Sequence, residues 1–335
     1  MNSKIICPPS AQEDDRAANA ESLDLAEESR AFVANIPEHG QRLDRCLAQW
    51  VPELSRSYLA QLVQDGCVQV NDRVVIKPAA KLQAGARVIV AIRPTPAASA
   101  FCAQEVALDV IYEDEQILVI NKPVGLVVHP GAGNWSGTLL NGLLYRDAQA
   151  AHLPRAGIVH RLDKNTSGLM VVARTREAMA HLVDQLSSRT VERVYLALAQ
   201  GQLEAGSVFE VDQPIGRDPK NRLRMAVVGS GKPAQTEARV LDAGDGHALL
   251  RCKLKTGRTH QIRVHMAWAG CPLVGDSLYG GQPKWGLEAQ ALHAHDLALL
   301  HPTTGERMHW WVAPPQSLGH AVAQSGLGYN GGSLL

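Results

Sequence analysis

The residues best equipped for chemistry gather between Gly157 and Val172. Two apolar, β-branched runs flank a polar stretch that holds His160, Arg161, Asp163, Lys164, Thr166 and Ser167. The pattern reads as strand, loop, strand, and a loop on a rigid base is where catalytic groups are commonly held. The ordinary alternative is a tight loop in which Asp163 only caps its own backbone. A second concentration runs from Thr256 to Pro272 and contains Arg258, Thr259, His260, Gln261, Arg263 and His265. Thr259 is placed to cap a helix that Gly270 and Pro272 end. Such a helix begins with donors and positive charge suited to anions; the alternative is a surface helix with its usual charges.

Two further segments add to these. In Val191–Leu198, period-two alternation puts Val194, Leu196 and Leu198 on a core face. Arg193 and Tyr195 then share the opposite face, where an aromatic beside an arginine suits base stacking on RNA, or where Tyr195 is an ordinary half-buried sheet residue. Val119–Gly131 reads as a strand ending in a Pro/Gly turn that projects Lys122 and His129.

Several apparent motifs fail on spacing. Gly131, Gly133 and Gly137 are one residue too long for a dinucleotide fingerprint and lack a βαβ unit. Gly231-Lys232 would need a glycine at Ala226 and a Ser or Thr at Pro233 to be a phosphate loop. His293-x-His295 and His260-x4-His265 reproduce no metal pattern, so no metal site is expected. Six cysteines, at 7, 46, 67, 102, 252 and 271, include no CxxC pair. They read as incidental thiols of a reducing compartment.

The elements around these segments can be outlined from pattern and charge. At 335 residues the chain suggests two domains of about 150 residues each, and 45% hydrophobic content is enough to build cores. No apolar run approaches the roughly 20 residues of a membrane helix, and the start is too polar for a signal peptide. The expected location is the cytoplasm, with no membrane contact. The 33 basic and 33 acidic residues cancel, but unevenly. The first 40 residues hold three basic residues against eight acids, a net of −5, so the remainder carries +5. Residues 1–35 are therefore expected to be a disordered acidic extension.

Residues 36–93 follow as a small unit. Leu43, Cys46, Leu47 and Trp50 mark one helical face; Ser55 caps a second helix bearing Tyr58, Leu59, Leu62 and Val63. Short strands follow around Val68–Val70, an Asn71-Asp72 turn, Val74–Ile76 and Val88–Val90. Basic residues including Arg42 and Arg56 outnumber the acids, which fits either an RNA-binding face or a solvated surface. Residues 94–107 read as a linker. Residues 108–318 mix strands and helices without βαβ regularity, which argues for an α+β fold on a mixed, mostly antiparallel sheet with flanking helices. Residues 319–335 are Gly-rich and expected to be a flexible tail.

The small unit resembles the RNA-binding domain first described in ribosomal small-subunit protein four, through Arg42-Leu43-Asp44, Ser55-Arg56-Ser57 and Gly66–Asn71. The larger region strongly resembles the pseudouridine synthases that modify ribosomal and transfer RNA. The resemblance rests on His160–Asp163 with Thr166–Gly168, on Gly257–His265, and on Asn121–Pro123, Gly231–Thr236 and Val274–Gly280. It implies an isomerase that breaks the N-glycosidic bond of uridine, turns the base and rejoins it through carbon 5. No cofactor is needed for that. Asp163 is implied as the catalytic carboxylate, Arg263 as the cation that keeps it ionised, and Tyr195 as the ring stacked on the uracil. Arg161, His160, Lys122, Arg258, His260, Arg42 and Arg56 are implied as RNA contacts, with Arg161 filling the space left by the displaced base. With the small domain in front, the resemblance points to the branch acting on the helix 69 stem-loop of 23S ribosomal RNA. The expected partner is large-subunit ribosomal RNA or the assembling subunit, met by a monomer. The alternatives are another ribosomal or transfer RNA site, or a non-catalytic assembly factor on the same fold.

Overall fold

Residues 28–92, 99–131, 133–221 and 223–335 are described by a computed structural model. The chain forms two units that divide after residue 95. In the first, β1 (Glu28–Val33) precedes α1 (Leu43–Trp50) and α2 (Arg56–Gln64). Strands β2 (Val68–Val70), β3 (Arg73–Val74) and β4 (Arg87–Ile92) follow, in sheet order β1-β4-β2-β3. Leu43, Cys46, Leu47, Leu59, Leu62 and Val63 are buried on the helices, as their spacing requires. The Ser55 hydroxyl accepts the Tyr58 N–H at 3.2 Å as an N-cap. Asn71 and Asp72 both have positive φ (50° and 58°), the conformation of a two-residue hairpin turn.

The boundary at residue 35 needs correction. Glu28–Val33 pairs antiparallel with β4 over its full length, and Phe32 stacks on Trp50 at 5.1 Å. An aromatic and a valine at the end of the acidic stretch are enough to add an edge strand. Residues 1–27 of the expected extension, and 93–98 of the expected linker, lie outside the described residues. The rest of that linker is anchored: the Asn141 amide donates to the Ala100 and Cys102 carbonyls at 3.0 and 2.8 Å.

The second unit is built on a nine-stranded sheet. In chain order its elements are β5 (Asp109–Glu113), β6 (Ile117–Lys122), α3 (Leu139–Arg146), β7 (Ser167–Ala173), α4 (Arg176–Ser187), β8 (Glu192–Gln200) and β9 (Val208–Asp212). A two-stranded ribbon follows, β10 (Ile215–Arg217) with β11 (Met225–Val227). Then come β12 (Gln235–Gly244), β13 (His247–Leu254), α5 (Gln261–Trp268), β14 (Leu292–Leu300), β15 (Arg307–Trp311) and α6 (Gln316–Gln324). The sheet order is β5-β6-β7-β14-β8-β13-β12-β9, with β15 also paired to β14. Every pairing is antiparallel except β7 with β14. This is the expected α+β class.

The central strands are covered on both faces. Ile120, Met170, Tyr195, Ala197 and Leu250 belong to one core. Ile117, Leu169, Leu182 and Leu297 form a second, and Leu196, Leu198, Leu249, Leu318 and Val322 a third. The expectation that Tyr195 and Arg193 face away from the core therefore fails, because Val194–Ala199 is buried throughout.

The Gly-rich end is not loose. Tyr329 contacts His295 Nε2 through its hydroxyl at 2.5 Å, the Ser333 hydroxyl donates to Asp296 Oδ1 at 2.6 Å, and the Arg251 Nε–H donates to the Leu334 carbonyl at 2.6 Å. Leu327 is buried beside α6. A few polar partners on β13 and β14 hold a segment whose composition alone suggests mobility.

Candidate active site

Asp163 lies in the loop that leads into β7, and its place is fixed from several directions. Lys122, at the end of β6, is 1% exposed. Its Nζ donates to the Pro123, Leu126 and Lys164 carbonyls at 2.8, 3.0 and 3.0 Å. Burial pushes its ammonium down to about 8. The lysine read as an RNA contact is thus a clamp between the β6 turn and the Asp163 loop. His160 is also committed inward. Its Nε2 accepts the Val171 N–H at 3.0 Å, and burial with Arg193 nearby lowers its pKa to about 3. A neutral ring bonded to β7 is not a phosphate contact. Gly168 lets β7 approach β14 closely: with φ +109°, a Cβ there would sit 2.1 Å from the Ala294 carbonyl oxygen.

α5 supplies the other side of the site. Thr259 does not cap it, contrary to expectation. The residue before the helix is His260, in a left-handed conformation with φ 56°. Gln261 replaces the cap. Its Oε1 accepts from the Thr256 hydroxyl at 2.7 Å and the Arg258 N–H at 2.9 Å. Its Nε2 donates to the Gln235 carbonyl and the Thr236 hydroxyl, both at 3.0 Å. His265 extends the network to Thr236 (2.9 Å) and the Gln213 carbonyl (3.0 Å). This buried amide, fully satisfied, joins α5, β12 and the 256–258 turn. Gln261 to Met266 are all buried, so α5 is a core helix and not a surface one.

The network aims Arg263 at two carboxylates. Its Nε and Nη2 donate to Asp276 at 2.7 and 2.9 Å, and its Nη1 donates to Asp163 Oδ2 at 3.2 Å. Burial opposes the charge on Arg263, but Asp276 and Asp163 together hold its pKa above the usual arginine value. Tyr279 closes the back. Its ring lies under Arg263 (5.0 Å), and its hydroxyl accepts the Met225 N–H at 2.9 Å and meets His260 Nδ1 at 2.8 Å. His260 Nε2 lies 3.9 Å from Asp163 Oδ1. Burial, the largest influence on this imidazole, lowers its pKa.

These groups border a cavity of about 430 Å³ that Tyr195, Leu254, Ile262 and Leu292 line with apolar surface. Arg155, Arg161, Arg193 and Arg258 add positive charge. Arg161 is exposed. Arg258 also donates from Nε to the Pro233 carbonyl at 3.0 Å. The structure brings Asp163, Arg263, Tyr195, His160, Arg161, Arg258 and His260 to one cavity wall and leaves Lys122 behind it. Asp276, Tyr279 and Gln261 were not singled out as functional. Val274–Gly280 was noticed as a segment, but one carboxylate in it carries no signal that it will meet Arg263. In the first unit, Arg42 and Arg56 both donate to Asp44, at 3.0 and 2.9 Å from their nearest nitrogens, and keep about half of each side chain exposed.

Residues 116–268 match the family model described as RNA pseudouridylate synthase, and residues 41–88 match the S4 domain. The chain is 47% identical over 296 residues to Ribosomal large subunit pseudouridine synthase D of Neisseria meningitidis, covering 85% of this chain and 78% of that protein. It is 48% identical over 302 residues to the Escherichia coli protein of the same name, covering 86% and 92%. Among solved structures, Human RNA Pseudouridylate Synthase Domain Containing 1 aligns with a TM-score of 0.50 and 31% identity, covering 62% of this chain and 84% of that one.

Proposed function

The chain belongs to the RNA pseudouridylate synthase family, and from that premise we propose that its isomerase activity is directed at uridines of large-subunit ribosomal RNA, within the helix 69 stem-loop of 23S RNA. The ribosomal assignment is supported by the names of its relatives, and the stem-loop rests on the family resemblance of the synthase motifs with the small domain in front. Asp163 is the catalytic carboxylate in this reading. The observation that carries it is the Asp163–Arg263–Asp276 chain at the wall of a part-apolar cavity. Arg263 cannot turn away, because Asp276 holds two of its nitrogens, so the carboxylate of Asp163 keeps one orientation.

The target uridine leaves its stack, which takes a few kcal/mol and less in a loop, and its base enters beside Tyr195. Asp163 then acts next to the sugar as the bond from C1′ to N1 breaks. The base turns, C1′ bonds to C5, C5 loses its proton and N1 gains one. Atoms and electrons balance within the nucleotide. Arg161, exposed at the rim, fills the space the base has left, and Arg258 with the Arg42 and Arg56 pair contacts RNA phosphates. Asp163→Asn is expected to keep RNA affinity and abolish product. Mass spectrometry of digested RNA incubated with this variant is the test, and a normal pseudouridine yield would remove Asp163 from the role.

A further inference from the structure

The most conspicuous buried group left without a task is Arg193. It lies on β8 two residues before Tyr195 and lines the same cavity, yet it is 8% exposed. Its Nε is buried without a hydrogen-bond partner. No carboxylate of the described residues lies within ion-pair distance of it. Arg263, which lines the same cavity, donates three hydrogen bonds to carboxylates. The contrast is physical. Leaving a guanidinium Nε–H dry and the charge without a carboxylate is a costly arrangement for a fold to hold. The surroundings make room for it all the same: a Cβ at Gly257 would stand 2.7 Å from Arg193 Nη1, so only glycine leaves the guanidinium where it is. Burial lowers its pKa, though an arginine stays charged at neutral pH.

A buried cation without an internal partner, facing a cavity that takes a nucleotide, calls for an anion brought by the ligand. Uracil is neutral, and the wall beside it already has an apolar ring in Tyr195. The anion of an RNA is its phosphodiester. Resting on the reading of this chain as an RNA uridine isomerase, we propose that Arg193 binds the phosphate on the 5′ side of the target uridine and so anchors the displaced nucleotide over Asp163. The planar fork matches two phosphate oxygens. The protein completes the charge balance of its own cavity only when RNA is bound.

The test uses the full chain and a synthetic RNA stem-loop in which pseudouridine mapping has located the product. The unmodified stem-loop must first be converted by the wild-type protein; no conversion would overturn the family-based reading and leaves Arg193 out of the question. A single methylphosphonate, neutral and nearly isosteric, is then placed 5′ of the target. Wild-type kcat/KM should fall about 10- to 100-fold, the range for a hydrogen bond to a charged group. Arg193→Met should lose a similar factor on unmodified RNA and lose nothing further on the methylphosphonate. Equal losses for both proteins would overturn the proposal, since the phosphate would then be held elsewhere. Thermal unfolding separates this from a structural role. Removing an uncompensated cation should leave the Tm of Arg193→Met unchanged or raised, and a lowered Tm with a retained methylphosphonate penalty would sink it.

Discussion

Lys122 and Arg263 show why residue type alone misplaces charged groups. Both are basic residues in family-like motifs, and both are buried. Lys122 stands beside a Pro/Gly turn, where a sequence suggests projection into solvent. What decides its place is three carbonyls from two segments converging on one ammonium, and that convergence is a tertiary fact. Lys122→Met should therefore lower stability by about 2–4 kcal/mol, from carbonyls left unsatisfied in the interior. It should also reduce turnover more than RNA affinity. Urea unfolding with paired binding and rate measurements will show it; a variant that loses affinity alone would be an RNA contact after all. Asp276→Ala tests the other pair. Arg263 would keep only Asp163, and breaking a buried ion pair of this kind destabilises by about 3–5 kcal/mol. Chemical denaturation of that variant is the measurement. The same pairing leaves Asp163 without a partner carboxylate of the kind glycoside hydrolysis uses, because Asp276 is spent on Arg263 and does not line the cavity.

At the scale of elements, much was legible because local pattern and tertiary outcome agree. The two helices of the small unit, the Ser55 cap and the Asn71-Asp72 turn follow from spacing and turn chemistry. The polar loop before β7 also appears where two apolar runs bracket it. Asp163 and Arg263, 100 positions apart, were joined only through resemblance; nothing in spacing could pair them. The failures have a common cause. Alternation in β8 suggests one solvent face, but a strand covered on both sides is apolar almost continuously, and its residues alternate between two cores, Tyr195 in one and Leu196 in the other. The sequence pattern places the cap of α5 at Thr259, whereas Gln261 folds back to satisfy the turn before the helix. The basic face of the small unit also needed coordinates, since Asp44 gathers Arg42 and Arg56 into one cluster. If that cluster contacts phosphates, Arg42→Gln with Arg56→Gln should lessen the slope of log affinity against log salt by about 2 and leave turnover at saturating RNA intact. Filter binding across a salt series measures the slope.

For the whole molecule, the zero net charge divides into an acidic first stretch and a +5 remainder, so attraction to RNA is local and not a property of the entire surface. Stability has its own dependence on pH. Burial holds His160 near 3 and His129 and His293 near 4, all below the ordinary 6.5. Between those values the unfolded chain binds more protons, so their share of stability is complete above pH 6.5 and declines as pH falls toward 4. Asp296, lowered to about 2 mainly by hydrogen bonds from His295, Ser333 and His309 that outweigh its burial, continues the loss below its ordinary 3.8. The Tm should therefore drop steadily on acidification from 6.5; a flat profile down to pH 4 would mean that these rings are charged or solvated.

β14 sits at the centre of the large sheet, yet it is among the last strands made. It is the partner of both β7, which follows the Asp163 loop, and β8, which carries Arg193 and Tyr195. Until Leu300 has left the ribosome, those two strands have nothing between them, and the halves of the cavity wall have no common support. Between the completion of β8 at Gln200 and the arrival of β14 at Leu292, a nascent chain exposes two unpaired, apolar strand edges, a form open to aggregation. Its cavity is also unassembled for that whole interval. Activity thus switches on as a late, single event of biosynthesis, and translation stalled between Asp276 and β14 yields a protein with every residue of the Asp163–Arg263–Asp276 chain and no site.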